Sequence, residues 1–276
     1  MKKALALFLA AAMSCTLLAG CGQDNTTGET TDTGDTAETS DLVYAVEAGS
    51  AGEAVATEKG WKTNAVASQA DALMEVAAGT SDAAIIDLLM AGAMIGEGTD
   101  YPDMTYTEEL TSEEYGVACR QDSDLTDFIN YVFSTSYADG TMEEIANTYG
   151  VQDALLEQPA AEEEFTPAEG GDVAYIQDKG TLLVGITEFA PMDYKDENGD
   201  WIGFDADMAK LVAEKLGVEV EFVVIDWDNK IMELDSKNVD VLWNGMTLTD
   251  EVTNPANCTR AYCNNAQVVV VNGEAQ

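Results

Sequence analysis

The sequence predicts an α/β protein built from two segments. Three observations carry this expectation. Short apolar runs alternate with helical patterns from residue 42 onward, as in a parallel sheet whose strands are joined by helices. An acidic stretch with prolines and glycines, EQPAAEEEFTPAEGGD (157–172), divides that alternation in two and reads as a linker. After it comes GFDADMAKLVAEKLG (203–217), a complete amphipathic helix: Met208, Leu211, Val212 and Leu216 recur at helical spacing and Gly217 suits its end. Asp205 is placed to cap its first turn.

Before the linker, LVYAVEAG (42–49) reads as a strand followed by a helix from about Ser50. NAVAS (64–68) is a short strand, ADALMEVAAG (70–79) a helix stopped by Gly79, and DAAIIDLLMAGAMI (82–95) a buried strand running into a helix. EEYGVACRQ (113–121) reads as a returning strand, and 124–151 as two helices broken at Asp139-Gly140. After the linker come TLLVGITEF, MDYKDENGDWIGF, the quoted helix, VEVEFVVID, a helix to about Ser236, VDVLWNG and NNAQVVVV. Asn198-Gly199 between two alternating runs signals a type I′ hairpin. A calcium loop is the competing reading there, but Tyr194 stands where the first acidic ligand is needed.

Composition narrows the function. Twelve Lys and Arg against 52 Asp and Glu give a net charge of −40. That field repels nucleic acid and anionic lipid, which are excluded as ligands of the folded part. The chain has no histidine, which removes the commonest general base and most zinc sites; no metal site and no cofactor is expected. Of five cysteines, Cys119, Cys258 and Cys263 fall in the folded part. Cys258 and Cys263 could pair, although buried thiols fit an odd count as well.

Residues 1–20 have two lysines, an apolar run and then small residues, the pattern of a secretory signal. Leu18-Ala19-Gly20-Cys21 resembles the bacterial lipoprotein signal, which implies cleavage before Cys21 and a lipid on its thiol. Residues 21–41, polar and almost without aliphatic side chains, read as a flexible tether.

GFDADMAKLVAEKLG closely resembles the signature of the bacterial extracellular solute-binding proteins of the amino-acid type, family 3. LLVGITEFAPMDY before it, VIDWDNKIMELDSKNVDVLWNGMTLT after it and then AYCNNAQVVVV agree in order. YAVEAGSAGEAV and ALMEVAAGTSDAAIID resemble that family's second lobe, and 113–151 its closing segment. The resemblance implies a two-lobed periplasmic-binding-protein-like (type II) fold with a ligand cleft between lobes. The pieces occur once each but in changed order, which implies a circular permutation: second lobe 42–112, closing segment of the first lobe 113–156, linker 157–172, first lobe 173–276.

By the same resemblance, Asp87 matches an ammonium-binding aspartate, although a strand-end acid capping the next helix would look the same. Ser50 and Ala51 open a helix whose free N–H groups suit a carboxylate; Ser50 could equally be a plain cap. Asn244, Gly245, Met246 and Thr247 match a loop of backbone and hydroxyl contacts. Phe189 and Trp227 match two aromatics that sandwich a ligand side chain, a role that core aromatics would mimic. Glu188 could meet a polar or cationic side chain, or be a solvated acid. Val252 stands where the family usually supplies an arginine for the ligand carboxylate, and Arg260 does not match that motif.

The function these features imply is a non-enzymatic, monomeric, lipid-anchored receptor on the outer face of the bacterial cell membrane. It would deliver an amino acid or similar small polar solute to an ABC transporter permease. Two alternatives stand beside it: an enzyme resembling cyclohexadienyl dehydratases, and a sensory or structural lipoprotein with a vestigial pocket.

Overall fold

The computed structural model describes residues 41–273. The expected signal peptide (1–20), Cys21 and nearly all of the expected tether lie outside the described residues.

Before the linker the order is β1 (Val43–Glu47), α1 (Ala51–Glu58), β2 (Lys62–Val66), α2 (Gln69–Ala78), β3 (Ala83–Asp87), α3 (Leu88–Met94), β4 (Met104–Glu109), β5 (Glu113–Cys119), α4 (Leu125–Asp139) and α5 (Thr141–Tyr149). After it come α6 (Asp172–Lys179), β6 (Thr181–Ile186), β7 (Tyr194–Lys195), β8 (Trp201–Ile202), α7 (Phe204–Leu216), β9 (Glu219–Val224), α8 (Lys230–Asp235), β10 (Val241–Thr247), α9 (Asp250–Thr253), β11 (Asn257–Cys258), β12 (Cys263–Asn265) and β13 (Gln267–Asn272).

These strands form two main sheets, one per lobe. The first runs β2-β1-β3-β13-β4 and the second β11-β5-β10-β6-β9. In each, three strands are parallel and a strand from the other half of the chain is inserted antiparallel. β13, near the end of the chain, thus completes the sheet of the first segment, and β5 completes the sheet of the second. This amends the expected boundary: residues 173–276 are not all in one lobe. β3 is buried along its whole length, as its unbroken AAIID run requires of a central parallel strand.

The chain passes between lobes twice, at residues 110–112 and at Ala266. The two crossings lie side by side: Leu110 N–H donates to Gln267 O at 2.7 Å, and Gln267 N–H to Thr111 Oγ1 at 2.8 Å.

Helix α7 buries Phe204, Met208, Ala209, Val212 and Leu216 and ends at Gly217 in the left-handed conformation. Its cap is not Asp205. Gly203 takes the cap position, and Asp205 is fully buried, its Oδ2 accepting from Gly245 N–H at 2.6 Å and Tyr262 Oη–H at 2.8 Å. The helix is therefore fastened to the end of β10 instead of to its own first turn.

The β7–β8 connection also differs from expectation. Type I′ needs a positive φ at both central residues, but Gly199 (φ 86°) has one and Asn198 does not. Asp196 instead accepts from the N–H groups of Asn198 and Asp200, both at 2.9 Å, making a longer Asx-type loop.

The linker has no helix or strand between residues 157 and 171, yet it is tied to the surface. Gln158 Nε2 donates to Ala261 O at 2.9 Å, Phe165 packs edge-on against Phe128, and Asp124 accepts from the N–H groups of Ala168 and Val173. Just beyond it, Arg120 bridges Asp172 (3.1 Å) and the buried Asp240 (3.3 Å), fixing α6 against the β5 lobe.

Candidate ligand cleft

A cavity of about 260 Å³ lies between the lobes at the C-terminal ends of parallel strands, where open α/β sheets leave room for ligands. The β1–β3 lobe contributes Glu47 at the end of β1, Ser50 and Ala51 at the start of α1, and Asp87 at the end of β3. The β6–β10 lobe contributes Trp227, Lys230, Val252 and the end of β10.

Ser50 caps α1, its Oγ accepting from Glu53 N–H at 3.1 Å, while Glu53 reaches back to accept from Gly49 N–H at 2.8 Å. S-A-G-E is thus a variant of the capping box in which Glu53 takes the N–H of Gly49, just before the cap, and a carboxylate already sits at that helix end.

Asp87 is 4% exposed and surrounded by neutral donors. Tyr115 Oη–H (2.7 Å), Asn265 and Gln267 (3.0 Å) donate to Oδ1, and the Gln69 amide donates to Oδ2 while accepting from Asp87 N–H. Burial pushes its carboxyl up to about 7 despite the pull of these donors. Glu47 is 3% exposed, and its Oε1 has no hydrogen-bond partner among the described residues. Burial pushes it up to about 8, against a smaller pull from the Thr187 hydroxyl and the Lys230 charge.

Lys230 is buried as well. Its ammonium donates to Gly49 O at 2.8 Å and Trp227 O at 3.3 Å, and stands 5.4 Å from the centre of the Trp227 ring. Burial lowers its pKa, with Glu251 foremost among the acids opposing that shift.

The end of β10 is held by its own lobe. Asn244 clamps Thr187, accepting from its N–H (3.1 Å) and donating to its Oγ1 (2.8 Å). Thr247 Oγ1–H donates to Glu113 Oε2 at 3.0 Å. Gly245 has φ 54°, and a Cβ there would fall 2.1 Å from the Phe189 ring, so only glycine fits. A register break in the β5–β10 pairing between Leu242 and Met246 turns this loop toward the cleft.

The cleft brings together Ser50, Ala51, Asp87, Trp227, Asn244, Gly245, Met246 and Thr247, with Val252 in its wall. It does not include Phe189 or Glu188. Phe189 is a core side chain, 2% exposed, packed edge-on against Tyr115 because Gly245 leaves room for its ring. Glu188 faces a separate hollow of about 420 Å³ with Tyr149, Tyr194 and Lys195. Sequence reasoning missed Glu47, Gln69 and Lys230. An acid ending the apolar run VYAVE was a signal for Glu47; an amide opening a helix and a lysine in an amphipathic one gave none. Cys119, Cys258 and Cys263 are unpaired thiols, and among the described residues no acid or cysteine cluster could hold a metal.

Two α/β lobes of matching strand order, linked by two crossings over a cleft, define the type II periplasmic-binding-protein fold. Residues 182–276 match the profile of the bacterial extracellular solute-binding proteins, family 3. The chain is similar to the L-cystine-binding protein of Escherichia coli K12 (35% identical over 85 residues, 30% of this chain and 32% of the relative). It is also similar to a probable amino-acid ABC transporter-binding protein of Haemophilus influenzae (36% over 119 residues, 42% and 46%). A third relative is the cyclohexadienyl dehydratase of Pseudomonas aeruginosa (32% over 77 residues, 28% and 29%). The chain spans less than half the length of these curated relatives.

Proposed function

We propose that this protein captures an amino acid or similar small polar solute outside the cytoplasm for an ABC importer, held to the membrane by a lipid on Cys21. The observation that carries this reading is the cleft, lined by buried carboxyls and a lysine, between lobes joined by two short crossings. Such an arrangement suits a hinge that closes over a solute. The family match of residues 182–276 and the printed names of two relatives support it. Among the described residues no helix is long and apolar enough to cross a membrane. A thermal-shift screen across amino acids, amines and dipeptides tests the reading: one solute class gives saturable stabilisation. A folded protein that responds to none of them counts against it.

A second reading is favoured by the pair of buried carboxyls in the cleft, Glu47 and Asp87, pushed toward neutral pH. Groups so placed suit general acid–base work, as in an enzyme like the dehydratase relative. Turnover of prephenate or arogenate would decide for it.

We infer in addition that the chain is circularly permuted relative to its family, with 157–172 joining what are elsewhere the two termini. Strand register supports this. Val271 pairs with Ala83 and Ala83 with Tyr44, so the end of β13 and the start of β1 lie two strands, about 10 Å, apart at one edge of the sheet.

A further inference from the structure

Given that the cleft is a solute site, we propose that its solute is a small aliphatic amine cation without a carboxylate, and that Glu47 is its direct partner. The inference rests on that reading and narrows the solute to one class.

Glu47 lines the cavity, and its Oε1 is buried with no hydrogen-bond partner among the described residues. A buried carboxylate oxygen left this way costs free energy that only a donor from the cavity can recover. Asp87 lines the same cavity, and the four side chains that donate to it are all neutral. Two buried carboxyls therefore face the space with Lys230 as the cation beside them. That ammonium is already solvated by two backbone carbonyls. Asp250 and Glu251 add negative charge at the same cavity.

A ligand carboxylate finds little to receive it. The chain has two arginines, and both are engaged elsewhere: Arg120 with Asp172 and Asp240, Arg260 with Asn130 and Ser134. At the start of α1, Glu53 accepts from Gly49 N–H, so an acid occupies the place a carboxylate would take. Val252 presents an apolar wall, buried with Trp227 and Met246. A carboxylate there would be desolvated beside two others with one remaining ammonium hydrogen available to it, whereas an ammonium meets two acceptors with unused lone pairs.

The test uses matched pairs that differ by one carboxylate: 1,4-diaminobutane against ornithine, and 1,5-diaminopentane against lysine. Binding to the full chain is measured by titration calorimetry, with neutral amino acids and dipeptides alongside. The diamines are expected to bind saturably, and their amino-acid counterparts at least about tenfold more weakly, the loss that follows from one uncompensated charge. Glu47→Gln, shown folded by circular dichroism, is expected to lower diamine affinity by about tenfold or more, and Asp87→Asn to do likewise. Equal or tighter binding of ornithine, lysine or a neutral solute overturns the amine assignment while leaving a solute-binding protein. Unchanged diamine affinity in folded Glu47→Gln overturns the role of Glu47. No binding in any arm overturns the amine proposal and the solute-binding reading together.

Discussion

Lys230 reaches across the cleft and donates a 2.8 Å hydrogen bond to the carbonyl of Gly49 in the opposite lobe. The lobes meet closely at this point: a Cβ on Gly49 would lie 2.6 Å from Asp228 Cα. A charge-assisted bond of this kind is worth about 1.5–3 kcal/mol, roughly tenfold or more in the ratio of closed to open lobes. Lys230→Met is expected to give a larger radius of gyration by small-angle scattering without ligand. Gly49→Ala should do the same by steric contact. Profiles identical to that of the unaltered protein would show that this bond does not hold the lobes together.

Stability should fall as pH rises through neutrality. Glu47 and Asp87 titrate near 8 and 7 in the folded chain, raised by burial, and at ordinary carboxylate values near ~4 when unfolded. Below the unfolded value both states hold their protons and nothing is lost. Between the two values the unfolded chain ionises while the fold keeps the proton, so stability declines until pH passes the folded values. Groups facing these carboxyls are Lys230, Tyr115 and Glu113. A lower melting temperature at pH 8.5 than at pH 5.5 is expected, with a shallower slope in Glu47→Gln. Binding of 1,4-diaminobutane should strengthen over the same window, because the cation favours the ionised carboxyls.

Asp193 and Asp205 form a second buried acidic pair behind the cleft. Burial raises both, Asp205 raises Asp193 further, and neither oxygen of Asp193 has a partner among the described residues. Asp193→Asn removes one acid and adds an amide donor. It should raise the melting temperature at pH 8 and change it much less at about pH 2, below the ordinary carboxylate values near ~4, where both acids are protonated in either state. Asp205→Ala has the opposite outcome, costing about 2–4 kcal/mol in chemical denaturation, because Gly245 N–H and Tyr262 Oη lose their acceptor.

The proposed permutation can be reversed. A chain opened after Ala160 and joined from Gly273 to Asp41 by a short flexible linker keeps every strand pairing. It should fold with a melting temperature within a few degrees of the original and keep the same solute preference. A variant that stays unfolded would show that the native order of elements is required.

The parallel α/β pattern, the helices α2 and α7 and the break at Gly140 were legible because each is a local signal: a run, a period or a stop. Six residues of the cleft were legible through their match to a family motif, and Ser50 and Ala51 through their place at a helix start. Asp205 was misread because its spacing fits a helix cap equally well, and the competing acceptor role depends on Gly245, forty residues away. Phe189 was misread because a sandwiching aromatic and a buried one share the same sequence.

By itself the sequence determined the charge, the lack of histidine, the two α/β segments and the family signature, all of which follow from composition or from contacts a few residues apart. Tertiary structure alone decided that β13 completes the sheet of the opposite segment, that Glu47 is buried at the cleft with one oxygen, Oε1, lacking a partner among the described residues, and that Lys230 is spent on the Gly49 carbonyl. The physical reason is distance along the chain. Burial and partnering of a charged group are set by residues that only folding brings near it, and in this cleft those come from both ends of the sequence.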